Sequence, residues 1–386
     1  MIPRTLSETV DRLKTKFPIV SVTGPRQSGK TTLLKTSFPE YQYISFENPD
    51  ILSYVRSDPR GFLKQYGNRC IFDEVQRVPE LFSYLQQIVD DANKTGMFLL
   101  SGSQNFLLHE RITQSLAGRV GIVNLLPFSR EELDASGLAP DTLNEAMYKG
   151  GYPRLFDKDI APEDYYPSYL MTYLERDVRQ IKNVTDLSAF QRFIRLCAGR
   201  CGSLLSLSSI ATDCGVSHNT IRAWLSVLEA SFIVFLLQPY HVNFNKRLVK
   251  SPKLYFHDTG LACSLLGIKS TDELANHALR GQLFENLIIS EFQKQHLHRG
   301  LQPDCWFWRD KTGHEVDCIF PRKNRLLPVE IKSGMTVSDD YFKGIRYFNT
   351  LSGETGGYVV YGGNESQYRS ETTVLGWKEL GKIPLL

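Results

Sequence analysis

Long apolar runs are missing from this sequence: nowhere do about 18 apolar residues follow one another, and residues 1–8 hold no apolar segment of the signal-peptide kind. No membrane partner is therefore expected, and the cytoplasm is the expected compartment. A charge of one sign is missing too. With 45 Lys and Arg against 42 Asp and Glu, the 386 residues carry a net +3, so no global basic field calls for a nucleic acid, although local patches can sit inside a balanced total. Cysteine is sparse and odd in number: seven, at positions 70, 197, 201, 214, 263, 305 and 318. Several fall inside apolar patterns, which speaks against a secreted disulfide framework and predicts reduced core thiols without disulfides. Internal repeats and low-complexity segments are also lacking.

What remains is an ordinary globular composition, 42% hydrophobic and 23% charged, in a chain long enough for two or three cores. One cysteine pattern has spacings that a structural zinc site tolerates: Cys197-x3-Cys201 followed by Cys214-x3-His218. Yet Cys197 shares an apolar helical stripe with Phe193 and Ile194, and Cys214 completes the apolar face of a later helix, so buried thiols are the stronger reading.

The first 160 residues alternate short apolar runs with helix-length stretches. Ile19 to Val22, Tyr43 to Phe46, Cys70 to Phe72 and Met97 to Leu100 read as buried strands, which predicts a parallel sheet covered on both faces. The break Gly150-Gly151-Tyr152-Pro153 closes this domain near residue 160, and residues 161–205 carry a helical pattern expected to form a lid. Over 206–262, Leu207, Ile210, Ala211 and Cys214, then Ile221, Trp224, Leu225 and Leu228, recur at helical spacing on either side of Gly215. Two apolar strand-like runs follow them. The expectation is a winged helix-turn-helix, and a third, smaller α/β domain over 263–386 closes the chain.

Gly24-Pro25-Arg26-Gln27-Ser28-Gly29-Lys30-Thr31 is a complete G-x-x-x-x-G-K-[ST] motif, placed after a strand and before a helix that continues through Thr32. Glycines let backbone amides turn inward around phosphate oxygens, Lys30 neutralises their charge, and the Thr31 hydroxyl ligates magnesium. ATP and Mg²⁺ are the expected ligands, with Gly24 to Thr32 as the binding set. Cys70-Ile71-Phe72 ends in Asp73-Glu74, which sets Asp73 toward the metal and Glu74 toward an attacking water. Another strand runs out through Ser101-Gly102-Ser103-Gln104, where Ser103 is the candidate to read the γ-phosphate and a plain turn is the alternative.

These motifs, with Phe72-Asp73-Glu74-Val75-Gln76 and Ser115-Leu116-Ala117-Gly118-Arg119, resemble the prokaryotic AAA-type ATPases that carry a C-terminal domain of unknown function. Gly150-Gly151-Tyr152-Pro153, Tyr173-Leu174-Glu175-Arg176-Asp177-Val178 and Tyr255-Phe256-His257-Asp258-Thr259-Gly260-Leu261 extend the resemblance over most of the chain. It implies an AAA-like site completed by arginines of a neighbouring subunit in a homo-oligomer. Arg119 and Arg176 are the candidates for that role, because a guanidinium offers fixed planar charge to the transferring group.

On the second helix of the turn motif, His218, Asn219, Arg222 and Ser226 lie opposite Ile221 and Trp224, and Lys246, Arg247, Lys250 and Lys253 follow. This is a footprint suited to DNA, although winged helices also dock proteins. In the last domain, Glu285 lies on a helical pattern, Asp317 in a strand, and Glu330-Ile331-Lys332 on the next strand, where period two puts Glu330 and Lys332 on one face. An acid followed by acid-x-lysine resembles the restriction-endonuclease-like core, which implies Glu285, Asp317 and Glu330 as metal ligands and Lys332 beside the water. A cleaving enzyme and a fold that has lost cleavage both fit these residues.

Overall fold

The computed structural model describes residues 2–102, 116–173, 184, 186–241, 248–323, 325–369 and 371–385. They form two compact units, the first comprising 1–128 with 230–232 and 295–302, the second the remainder. The division at Phe128 falls ahead of the boundary expected near residue 160, because the helices beyond Ser129 belong with the second core.

In the first unit, five parallel strands form one sheet: β1 (Ile19–Thr23), β2 (Gln42–Ser45), β3 (Cys70–Asp73), β4 (Phe98–Gly102) and β5 (Val120–Asn124), in the order β2-β3-β4-β1-β5. β1, β3 and β4 are buried along their whole length, as strands covered on both faces must be, and their apolar runs announce it. One face packs on Phe46, Phe62, Phe72 and Phe98, the other on Leu6, Val10, Leu33 and Leu34. Local chemistry starts the connecting helices. Asn48 accepts from the Asp50 amide (2.9 Å) to cap Pro49–Ser57, and Asp58 accepts from Gly61 (2.8 Å) to cap Pro59–Gln65.

The second unit begins with helices, among them Pro162–Tyr173, Leu187–Ala198, Leu207–Cys214 and His218–Ala230. Ile210, Ala211, Cys214, Ile221, Trp224, Leu225 and Leu228 are buried as their spacing predicts, and His218, Asn219, Arg222 and Ser226 are exposed. Cys197 and Cys201 are core thiols with Cys214, and burial pushes all three above the ordinary thiol range. β6 (Val234–Leu237) and β7 (Lys253–Phe256) follow as an antiparallel pair.

The carboxyl-terminal part is a six-stranded mixed sheet ordered β12-β13-β11-β10-β9-β8. β8 (Trp306–Arg309), β9 (Glu315–Arg322) and β10 (Arg325–Lys332) run antiparallel in succession; β11 (Tyr358–Tyr361) lies parallel to β10; β12 (Gln367–Arg369) and β13 (Thr372–Gly376) complete the sheet. The helix Arg280–Leu297 precedes β8, and Lys343–Ser352 separates β10 from β11. The expectation of no disulfide is corrected here. Cys305 stands just ahead of β8 and Cys318 within β9, and the register of that pair brings their Cα atoms to 6.2 Å with the sulfurs joined.

Two glycine motifs acquire a physical reason in this unit. Asp258 is buried and accepts from the Gly151 amide (2.8 Å), the Tyr166 hydroxyl (2.7 Å) and the Leu261 amide (2.9 Å), the last as cap of Thr259–Leu265. A Cβ at Gly150 or Gly260 would run into the Tyr166 hydroxyl. Only glycine lets the two segments close on that tyrosine and aspartate.

Candidate nucleotide site and a second charged cluster

The loop after β1 is shaped by its backbone. Gly24 takes φ 148°, where a Cβ would collide with the carbonyl oxygen of Leu125; Gly29 takes φ 95°. The chain thus curls over the first turn of the helix Lys30–Ser37, whose free amides and dipole favour an anion. Lys30 is buried, and its ammonium donates to the carbonyl oxygens of Gly24 (2.9 Å) and Pro25 (2.7 Å), which holds the positive charge at the mouth of the loop. Arg26 and Gln27 line the loop, Ser28 is buried under it, and Thr32 is exposed on the first helical turn. Arg4 steadies the loop from below, donating to the Ser28 carbonyl (2.8 Å) and the Leu126 carbonyl (2.6 Å).

Asp73 ends β3 in register with Ser45 on one side and Ser101 on the other. Its carboxylate faces the loop: the Thr31 hydroxyl lies 3.2 Å from Oδ1 and 3.1 Å from Oδ2, Tyr43 donates to Oδ2 (2.8 Å), and Ser101 donates to Oδ1. Burial, reinforced by the Asp73 charge, pushes the Tyr43 hydroxyl up to about 12, so it stays a donor. A hydroxyl and a carboxylate set side by side, each held by neighbours, are a donor set that fits a hard oxygen-seeking cation such as Mg²⁺. Glu74 follows in the left-handed region at φ 56°, an unusual place for a non-glycine residue, and Gln76 donates to its carboxylate.

Tyr43, Ser101 and Arg4 are the site residues that sequence reasoning missed. A polar residue interrupting an otherwise apolar buried strand was the available signal for Ser101, and none marked the other two. Ser103 and Arg176 lie outside the described residues. Arg119 is described: its guanidinium grips Asp90 with two nitrogens, one at 2.9 Å, and donates to the Ala117 carbonyl (3.0 Å) at the surface.

In the second unit, Asp317 and Glu330 lie on neighbouring strands and share Lys332, which is 3.6 Å from Asp317 Oδ2 and bound to Glu330 Oε1. Asp317 also accepts from the Ile331 amide (2.8 Å). Burial pushes Glu330 up to about 8, with the Asp317 charge adding and Lys332 opposing. Glu285 is held elsewhere, by Lys253 (2.8 Å) and the Tyr255 hydroxyl, both from β7. Lys253 binds Glu315 as well, and Arg309 closes the other side of Glu315 (2.9 Å). One expectation is corrected by this. Lys253 is buried rather than part of a basic surface with Lys250, while Lys246 and Arg247 lie outside the described residues. Glu285 is thus partnered by Lys253 while Asp317 and Glu330 share Lys332, and among the described residues no group of three or more His, Cys, Asp or Glu is arranged to hold a metal ion.

Comparison with known proteins matches three successive segments to family models: an AAA domain over residues 16–134, and domains of unknown function over 140–272 and 280–380. Uncharacterized proteins of Mycobacterium tuberculosis and Mycobacterium bovis are each 32% identical over 331 residues, 84% of this chain and 72% of theirs. An uncharacterized protein of Haemophilus influenzae is 23% identical over 340 residues, covering 80% of this chain and 81% of its own. Among solved structures, the chain is similar to a Walker-type ATPase of Pyrococcus abyssi (TM-score 0.47, 15% identity, 69% of this chain and 96% of that one) and to AMPPCP-bound DnaA of Aquifex aeolicus (TM-score 0.30, 16% identity, 58% and 85%). No helix among the described residues is long and apolar enough to cross a membrane. With this identity along most of both chains, the protein belongs to the same family as the mycobacterial proteins, and the P-loop sheet of its first unit is an AAA-type ATPase domain.

Proposed function

We propose that the protein hydrolyses ATP with Mg²⁺. The observation that carries this reading is the Thr31 hydroxyl set 3.1 and 3.2 Å from the two carboxylate oxygens of Asp73, at the mouth of the Lys30 loop. Thr31 and Asp73 would hold the ion, which supplies charge neutralisation at the phosphates when bound. Lys30 exchanges its loop carbonyls for phosphate oxygens. Glu74 polarises the water, and Gln76, bound to it, orients its carboxylate. Arg119, at the surface, is the described candidate to serve the site of a neighbouring copy in a homo-oligomer, with Arg176 the other.

The ATPase reading extends to DNA handling through the rest of the chain. The polar face of His218, Asn219, Arg222 and Ser226, exposed on the second of two helices followed by the β6–β7 pair, supports a winged helix-turn-helix able to lie on DNA. The succession helix, β8, β9, β10, helix, β11, with Asp317 and Glu330-x-Lys332 adjacent, supports a restriction-endonuclease-like layout for the last domain. The alternative is an ATP-gated switch that binds protein partners through these modules. ATP turnover should be measured with Mg²⁺ and with single-stranded, duplex and branched DNA. Stimulation by a DNA form supports the first reading, indifference to all of them the second, and absence of Mg²⁺-dependent turnover refutes both.

A further inference from the structure

The last domain buries more carboxylate than a protein core tolerates without compensation. Asp317 and Glu330 are buried, and Glu285 and Glu315 are mostly so, drawn from one helix and two strands. One oxygen of Glu330, Oε2, has no hydrogen-bond partner and sits beside Gly344, in a residue only 7% exposed. A group of this kind needs a cation. Lys332 serves Asp317 and Glu330 from within the sheet, and a second cation comes from outside it: Lys253 on β7 lies 3% exposed, its ammonium on Glu285 (2.8 Å) and on Glu315 at once. Tyr255, two residues along the same strand and therefore on the same face, donates to the Glu285 oxygen that Lys253 also binds.

We propose that Lys253 is a built-in cation: its ammonium takes the place a divalent metal would occupy between Glu285 and Glu315, so that the native domain has no vacancy for one there. This inference deepens the restriction-endonuclease-like reading by stating how its charged centre is governed. That centre is a closed ion-pair core as long as β7 delivers Lys253, and it becomes a cation site only when that side chain is withdrawn or replaced. Methionine matches the lysine stem in length and apolar character and carries no charge, so Lys253→Met removes the cation and little else.

The test uses the full chain without nucleotide, with Mn²⁺ as the probe and thermal unfolding as the readout. The wild type should show no Mn²⁺ shift that depends on Glu315. Lys253→Met should melt lower by several degrees, because Glu285 and Glu315 lose the cation they share and keep only the Tyr255 hydroxyl and Arg309. Millimolar Mn²⁺ should recover most of that loss by mass action, and adding Glu315→Gln should abolish the recovery. If Lys253→Met alone yields no folded protein, the pair Lys253→Met/Glu285→Gln should restore folding, because it removes charge on both sides. The inference is overturned if Lys253→Met melts like the wild type, if it is destabilised and Mn²⁺ does not help, if the wild type itself takes a Glu315-dependent Mn²⁺ shift, or if the paired substitution fails to rescue an unfolded single one. The first, second and fourth of these leave the fold reading standing and reject Lys253 as the cation. The third returns the site to the metal-binding reading, so the two failures are distinguishable.

Discussion

Tyr43→Phe isolates a single hydrogen bond at the nucleotide site. The hydroxyl donates to Asp73 Oδ2 at 2.8 Å, while the ring is held separately, beneath the Lys35 ammonium at 4.3 Å, so phenylalanine should keep the packing and lose only the donor. A hydrogen bond to a charged acceptor is worth about 1.5–3 kcal/mol, and Tyr43 is partly exposed, which puts this one at the lower end. Spent on orienting a metal-binding carboxylate, that is about a tenfold change in the metal's apparent affinity, at the low end of the range for residues that steady a ligand from behind. Steady-state ATP turnover measured against free Mg²⁺ should therefore show half-saturation about tenfold higher, with kcat at saturating Mg²⁺ within roughly twofold of the wild type. Tyr43→Leu, which also removes the ring, should shift the Mg²⁺ dependence no further. An unchanged half-saturation in Tyr43→Phe would refute the assignment of Tyr43 to Asp73, whatever happened to stability.

Lys30→Ala should abolish nucleotide binding, whereas Glu74→Gln should bind a fluorescent ATP analogue normally and lose about 10²–10⁴ in turnover; normal turnover in the latter would remove Glu74 from the mechanism. Asp258→Ala strands the donors of Gly151 and Tyr166 and uncaps Thr259–Leu265, a loss of about 3–5 kcal/mol that urea unfolding of the second unit would read. His257 is buried against Phe235, and burial, aided by Lys294, lowers it from 6.5 to about 3. Its unfolded form takes a proton first, so its contribution is complete above pH 6.5 and is lost as pH falls from there toward about 3. The slope is about 1.4 kcal/mol per pH unit, and His257→Phe should flatten it in a stability–pH series.

The parts of the first unit that could be read in the sequence are those whose evidence is local. β1, β3 and β4 are buried on both faces, so each appears as an unbroken apolar run, and the loop motif spans eight consecutive residues. β5 escaped because it alternates buried with half-buried positions and contains Gly121. Ser101 and Tyr43 escaped for a different reason: their role depends on β2, β3 and β4 lying side by side in a given register, and register between strands separated by whole helices leaves no mark within either strand. Arg4 lies 24 residues ahead of Ser28 in the loop it braces, and no local pattern marks it for that role. The helix pair around Gly215 was legible because its 3.6-residue period is carried within each helix.

Lys253 shows why charge is the hardest property to place. In sequence it follows Lys246, Arg247 and Lys250, and clustering is the usual sign of a solvated basic surface. Yet burial of an ammonium is decided by whether carboxylates are waiting for it, and those waiting for Lys253 come from the helix Arg280–Leu297 and from β9. Burial alone pushes its ammonium down, but Glu285, Asp317 and Glu315 outweigh that and hold it above its ordinary value, so the lysine stays charged inside. The same logic runs in reverse for Glu285, whose burial raises it while Lys253 lowers it. Neither residue would persist in the core alone, because each is the condition for the other's charge, and removing one partner is far more costly than replacing both. The carboxylates that β7 partners are Glu285 and Glu315, whereas Asp317 and Glu330, the acids of the acid and acid-x-lysine pattern, share the lysine of that pattern itself, Lys332.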